Sequence, residues 1–516
     1  MSNIKQNFLR RDFLKGLAAV PFLGYFSFAF KNNITAELSK QTPDYSQMLG
    51  INLLKAPEEK LIPTDHDPSK KIRIGLIGNG WRGDQLLNSL GYMHPDFTRK
   101  SENGQYSNTV RKFLELEPLN VELTGICDTF SIHAQRGMET SGNDIRPGGM
   151  HGKTKPARIF PTYREMIESP DIDAVIIATP DHTHAPIAIA AAKAGKHVYL
   201  EKPMTHSIEE AVELRNVIKS TGVVFQLGHE NRQQMSFKMA REIYQNGLLG
   251  AVSMVEGHTN RNSPDGAWIR KRKFDHLGTP ENINWEEFLG SAPIHEFDLQ
   301  RYFNWQRYSE YGTSIVGNDF SHQYDCLNQV LKLGIPETVV TTGGQYFYHH
   351  NGDIPDVMNA IFNYPARKLA VAYSGTLKSG VYRQLRIMGS EASMDIDRSI
   401  MLYKDNNSER YKDIRTDSSD PLYYYQPSTG VDAVTSATAR AYIKGGYGPT
   451  FIDGKVIDAT YLHLKEWLEA IRGQGRTSCD IDAGFEEAVT VNLSNLAYKH
   501  GKTIRWDSEN EKAIIG

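Results

Sequence analysis

The sequence predicts two folded units in series: a parallel-sheet α/β domain, then an α+β domain built on an open, mainly antiparallel sheet. Three stretches carry that prediction. An apolar, β-branched run closes in a glycine-rich turn over 72–83. A strand, an alanine-rich helix and a second strand fill 173–200. From residue 252 onward, short alternating runs dominate, as half-buried antiparallel strands require.

The bulk properties narrow the function classes. At 516 residues the chain admits more than one domain, each with its own core. Its formal net charge of −3, with no dominant basic block, argues against a nucleic-acid partner. Cys127, Cys326 and Cys479 are the only cysteines; three without short spacing make neither a disulfide framework nor a zinc knuckle. At the N-terminus, Arg10-Arg11-Asp12-Phe13-Leu14-Lys15 precedes an apolar run over 17–30. That run is shorter than the ~20 apolar residues that span a bilayer. The pattern reads as a twin-arginine export address. Residues 1–31 are therefore expected to be a signal peptide, 32–70 a polar, proline-punctuated linker or arm, and the mature protein periplasmic and free of the membrane.

The first predicted strand, 72–77, runs into Gly78-Asn79-Gly80-Trp81-Arg82-Gly83, and a helix begins at Asp84. A GxGxxG that closes a strand and opens a helix is a dinucleotide-binding fingerprint, because its backbone N–H groups approach a pyrophosphate. The next strand, 121–127, ends in Asp128. A carboxylate there suits ribose hydroxyls and repels a 2′-phosphate, which favours NAD over NADP. Asp128 stands further from the glycines than the usual ~20 residues, because 92–120 is inserted between them. Strand 173–178, helix 185–195 and strand 197–200 make a parallel βαβ unit. Thr179, Pro180, His182 and His184 follow its first strand, and Glu201 and Lys202 its second, so all reach the carboxyl edge where ligands bind. Two neighbouring histidines fall short of the three or four ligands zinc needs, so no metal is expected. After strand 223–227 come the alternating runs 252–256, 338–341, 369–373, 384–388 and 393–396, and helices close the chain near 461–471 and 483–499. The expected domains are 71–205 and 206–516.

These motifs resemble the Gfo/Idh/MocA oxidoreductases. The likeness rests on GNGWRG, on ATPDHTHAPIAIAAAKAGKHVYLEKP, on GHENR after the following strand, and on Asn318-Asp319-Phe320-Ser321-His322-Gln323-Tyr324-Asp325. It implies a Rossmann NAD-binding domain, an open-sheet substrate domain that pairs into homo-oligomers, and hydride exchange between a nicotinamide and a sugar or cyclitol carbinol. By that resemblance, Lys202 of Glu-Lys-Pro serves the reacting oxygen, Pro203 is a candidate cis residue, and Glu201 is open to an orienting or a structural role. The family's helical Asp-x-x-x-His-x-x-Asp places His322 as acid–base, with Asn318 standing where an aspartate is usual. Asp325 is then a substrate or histidine partner, and Asp319 the alternative carboxylate. His229, Asn231 and Arg232 resemble a substrate-proximal loop, with Asn318, Arg301 and Trp305 as further substrate candidates; Trp305 fits a core equally well. Export beyond the cytoplasm, where free NAD is scarce, implies a tightly held cofactor, covered by the 92–120 insertion or the N-terminal arm. Two rival readings are a glycosidase working by oxidation, elimination and reduction, and a non-catalytic NAD-binding protein.

Overall fold

The computed structural model describes residues 71–516 apart from 105–106, 264, 270–272, 350, 398, 415–420, 426–448 and 453–454. The proposed export address and arm lie outside the described residues. The first sheet holds β1 (Ile72–Ile77), β2 (Val121–Cys127), β3 (Arg158–Ile159), β4 (Ala174–Ile177), β5 (His197–Leu200) and β6 (Phe225–Leu227). Their order is β3-β2-β1-β4-β5-β6, and every pairing is parallel. Helices cover both faces, so β4 reads Ala-Val-Ile-Ile with all four residues buried. That is why its sequence shows a continuous apolar run and no alternation.

The second sheet has ten strands: β7 (Val252–Asn260), β8 (Thr338–Gly344), β9 (Val357–Tyr364), β10 (Leu369–Thr376), β11 (Leu385–Gly389), β12 (Ala392–Ile396), β13 (Ile400–Lys404), β14 (Tyr423–Tyr425), β17 (Ile504–Asp507) and β18 (Lys512–Ile515); β15 (Pro449–Ile452) and β16 (Lys455–Asp458) form a separate ribbon. Its order is β14-β13-β12-β11-β7-β10-β9-β8-β17-β18. Among the described residues, only β7 and β10 pair in parallel in this sheet. One face packs on helices and the other stays open, so β9 buries Met358, Ala360 and Phe362 while Asn359 and Ile361 are exposed.

The expected domain boundary at 205 requires correction. β6 pairs with β5 through Leu200 and Leu227, so the parallel sheet continues past the helix Ile208–Thr221. The chain also returns to it: helix Ala459–Ile471 inserts Trp467 into the cluster of Ile74, Leu76 and Tyr199, its ring 5.6 Å from that of Tyr199. Sequence order alone hides a helix borrowed from more than 200 residues downstream. Helix Ile481–His500 packs against β8 and against helices of both domains. Among the described residues, no helix is long and apolar enough to cross a membrane.

Trp467 is fully buried. Trp467→Ala is therefore expected to cost about 3–5 kcal/mol, the scale for deleting a buried aromatic, read as a lowered denaturant midpoint with an unchanged slope.

Candidate active site

The carboxyl ends of β1, β2, β4 and β5 open on one cleft of about 920 Å³. At the end of β1, Gly78 has φ +88°, and a Cβ there would stand 2.6 Å from the Ala178 carbonyl. A Cβ on Gly83 would meet the Gly78 carbonyl at 2.2 Å. The turn thus tolerates no side chain at either position, which lets the helix Trp81–Leu90 start directly beneath it. That helix has no side-chain cap at Gly80, so its first N–H groups face the cleft unengaged by a capping side chain. At the end of β2, the Asp128 carboxylate accepts from the Asn79 N–H at 2.6 Å and the Phe130 N–H at 2.8 Å. Its oxygens keep lone pairs for two ribose hydroxyls. An uncapped helix start, a side-chain-free turn and an oriented acid are what a dinucleotide requires, so the residues present fit NAD.

Arg82 ties the turn to the catalytic edge. Its guanidinium donates to Glu201 at 2.8 Å and Glu230 at 3.0 Å. Burial disfavours its charge, but these carboxylates outweigh that and raise its pKa. Glu201 thereby has a structural partner, and Glu230, one residue past the expected His229, lines the cleft. Asp181 accepts from the Thr313 N–H at 3.0 Å and its hydroxyl at 2.6 Å, joining to the second domain the helix after β4, which spans Asp181–Lys193 and so starts earlier than the expected 185.

Lys202 lies after β5, where the Lys202–Pro203 bond is cis. Its Nζ donates to the Asn318 carbonyl at 2.7 Å. Burial lowers its pKa, against the partly offsetting fields of Asp319, Asp181 and Glu201. His322 shares the cleft, and burial, then Lys202 and His229, push its pKa well below the usual 6.5. The stretch 316–320 is a π-helical turn that leads into helix Ser321–Leu331, a distortion common at functional sites.

Several expected site residues stand elsewhere. Asp325 meets Arg232, not His322: its oxygens accept from Arg232 Nε at 2.8 and 3.0 Å. Burial would raise the Asp325 pKa, but that guanidinium outweighs it and lowers the value. Arg232 is consumed by this pair and the Ser478 carbonyl, so it offers nothing to the cleft. Asp319 lines the cleft but is paired with Arg261. The Asn318 amide donates to the Ser314 carbonyl and accepts from Gln306. His229 is buried behind His322, with ring centroids 5.6 Å apart, and burial lowers its pKa to about 4. Asn231 accepts from Gln234, and Arg301 pairs with Glu310 over the Tyr308 ring. Neither Asn231 nor Arg301 lines the cleft, whereas Trp305 does. Of the cofactor candidates, Thr179, Pro180, His182 and His184 all line it. His184 nevertheless has both ring nitrogens engaged, by the Pro203 and Thr179 carbonyls. His182 faces the Phe288 carbonyl at 2.8 Å.

Two features escaped the sequence reading. Besides the expected Trp305, Asn284, Glu287, Phe288 and Tyr302 line the cleft from the second domain, while no described residue of 92–120 does. That insertion instead packs Met93, Val110 and Phe113 on Ile145 in a small core of its own. Glu487, on helix Ile481–His500, is fully buried and accepts from the Met204 N–H at 3.5 Å. Burial raises its pKa to about 8. Charge is no guide to such a residue, since a glutamate inside a helix usually faces solvent. Among the described residues, no group of three or more His, Cys, Asp and Glu side chains is placed to hold a metal.

Gly78→Val is expected to abolish NAD binding, measured by calorimetry, while circular dichroism stays unchanged. Glu487 predicts a pH dependence of stability. Between the usual 4.5 and about 8, the folded chain holds a proton that the unfolded chain has lost, so stability falls as pH rises through that window. Glu487→Gln should flatten this dependence and raise the melting temperature at pH 8 relative to the parent.

Comparison with known proteins agrees with this architecture. Residues 72–229 match the model for the oxidoreductase family NAD-binding Rossmann fold, and residues 290–505 the family's C-terminal alpha/beta domain. Levoglucosan dehydrogenase of Pseudarthrobacter phenanthrenivorans is 30% identical over 281 residues, 53% of this chain and 57% of that enzyme. Glycosyl hydrolase family 109 protein 1 of Shewanella sp. strain MR-4 is 32% identical over 218 residues, 42% of this chain and 38% of that protein. The chain thus spans about half, or less, of the lengths of these relatives. A solved levoglucosan dehydrogenase in complex with NADH shares the fold, with a TM-score of 0.57 at 16% identity over 84% of this chain and 99% of that one. With both family domains matched in order around one glycine-turn cleft, the chain belongs to the Gfo/Idh/MocA oxidoreductase family, whose cofactor is NAD.

Proposed function

We propose that this protein oxidises a carbinol of a sugar, cyclitol or glycoside, with a tightly held NAD as hydride acceptor. The observation that carries the reading is the convergence of Lys202 and His322 on the cleft that holds the glycine turn and Asp128. NAD supplies a two-electron acceptor there; the chain's own residues handle the proton. Lys202 takes the hydroxyl proton as a neutral amine, a form made accessible by burial. Its N–H to the Asn318 carbonyl aims the lone pair. His322, neutral in these surroundings, is the second group able to hydrogen-bond the reacting oxygen and to hold or return a proton. Trp305 and the Asp319–Arg261 pair wall the substrate end, where an aromatic face and a forked donor suit ring hydroxyls. Asp325 acts at a distance by fixing Arg232, and so the loop after β6.

A second reading is redox-neutral cleavage of a glycoside, in which the hydride returns after elimination. The 32% identity to glycosyl hydrolase family 109 protein 1 favours it. Both readings need the same proton-handling pair and differ in whether the product is oxidised. We further propose export by the twin-arginine pathway, on the strength of Arg10-Arg11 and the short apolar run, with assembly into homo-oligomers in the periplasm.

A panel of sugars, cyclitols and aryl glycosides, followed by both cofactor absorbance and released product, separates the two readings. Lys202→Ala and His322→Ala are each expected to keep NAD but lose turnover by ~10² or more, the scale of a positioned acid–base group. Oxidation should rise with pH through a limb whose midpoint lies below lysine's usual 10.5. Lys202→Met should erase that limb, because no amine is left to lose a proton. Normal turnover in both alanine variants would refute the proton-handling role of this pair, and a loaded parent that turns over none of the panel would leave the chain as an NAD-binding protein without this chemistry.

A further inference from the structure

The segment 282–305 leaves the second domain and crosses the first. Its start is pinned at the end of β2: the Ser131 N–H donates to the Asn282 carbonyl at 2.9 Å, and the Asn284 N–H to the Thr129 carbonyl at 2.7 Å. Phe130 and Ile283 form an antiparallel bridge there. Next, Glu287 pairs with Arg164 at 3.0 Å, on the helix Tyr163–Glu168 that follows β3. The Phe288 carbonyl then meets His182 Nε2 at 2.8 Å, beyond the end of β4. Finally Tyr302 returns to β2, its hydroxyl 2.7 Å from that of Thr129. Phe130, Phe288, Tyr302 and Tyr311 bury one another in an aromatic cluster.

β2 and β4 flank β1 in the sheet. A segment anchored past the ends of both bridges the strands on either side of β1, whose glycine turn opens on the same cleft. Asn284, Glu287, Phe288 and Tyr302 line the same cleft as Gly78 and Asp128. We propose that segment 282–305 is the outer wall of the dinucleotide site, a strap that must detach before NAD enters or leaves. The proposal rests on the assignment of the cleft to NAD and deepens it by naming what retains the cofactor. Glu287 has a second consequence: it neutralises Arg164, a cation lining the cleft, so that arginine is not free for a 2′-phosphate.

The test is the release of radiolabelled NAD from the loaded full-length protein, chased with unlabelled NAD and filtered over time. Phe288→Ala is expected to speed release about tenfold or more, since each ~1.4 kcal/mol of lost closure is a factor of ten. Phe288→Ala can also disturb folding, so charge reversal gives an independent arm. Glu287→Arg should accelerate release, and Glu287→Arg combined with Arg164→Glu should slow it again, a rescue that mere misfolding does not produce. Release at the parental rate in both Phe288→Ala and Glu287→Arg overturns the strap while leaving the NAD assignment intact. A parent that binds no NAD overturns that assignment and the strap with it.

Discussion

The buried contact of Arg82 with Glu201 and Glu230 is the constraint on which the site depends. One guanidinium, on the first turn of the helix after the glycine turn, holds the residue just past β5 and one that follows β6. All three side chains are largely shielded from water, with exposures of 18%, 8% and 1%. Removing one member of such a set strands the others as uncompensated buried charge, which costs about 3–5 kcal/mol. The cofactor turn and the Glu-Lys-Pro corner therefore cannot shift independently. Lys202, next to Glu201, inherits its position from that lock, and its bond to the Asn318 carbonyl extends it into the second domain.

The distribution of carboxylates around His322 follows a different logic from the family pattern implied by sequence. Asp325 lies three residues along the same helix, close enough to reach a histidine, yet the stronger claim on it is Arg232. Buried beside that carboxylate, the guanidinium would otherwise lack a counter-charge, and a forked donor matches a carboxylate better than an imidazole does. Asp319 is likewise taken by Arg261. Burial first, and then the fields of Lys202, His229, Arg82 and Arg261, oppose the protonation of His322. Asn318, bonded to Ser314 and Gln306, brings no negative charge to that field. The His322 pKa accordingly stands well below its usual value.

What was legible in the sequence was local. The glycine turn, Asp128, the βαβ unit and Lys202 each depend on residues within one strand–turn–helix, where spacing dictates geometry. What was not legible depended on distant partners. The borrowed helix with Trp467 reads as an ordinary amphipathic segment, and nothing near Phe225 shows that β6 still belongs to the first sheet. His229, Asn231 and Arg232 follow a strand at the right edge, but tertiary packing buries His229 and Arg232 away from the cleft, ties Asn231 to Gln234, and leaves Glu230 lining the cleft. The 92–120 insertion interrupts the nucleotide-binding half and so drew attention as a cover. Its apolar residues pack partly on Ile145 in a small cluster and partly, through Tyr92 and Leu119, on the core around β1, and none of its described residues lines the cleft.

A cover supplied from the second domain has a mechanical consequence that an insertion within the first would lack. The stretch containing Thr313 closes on Asp181 after β4, a few residues beyond the strap's last cleft contacts, and the π-helical turn carrying Asn318 follows directly. The strap, the Asp181 clamp and the lysine's carbonyl partner are therefore successive parts of one continuous chain. Displacing the strap far enough to pass a dinucleotide pulls on the stretch that holds Asp181 and Lys202. In a site arranged this way, cofactor exchange and catalytic alignment oppose each other, which favours a cycle in which the hydride is returned in place. That holds whether the second half-reaction uses another acceptor or the substrate's own eliminated intermediate.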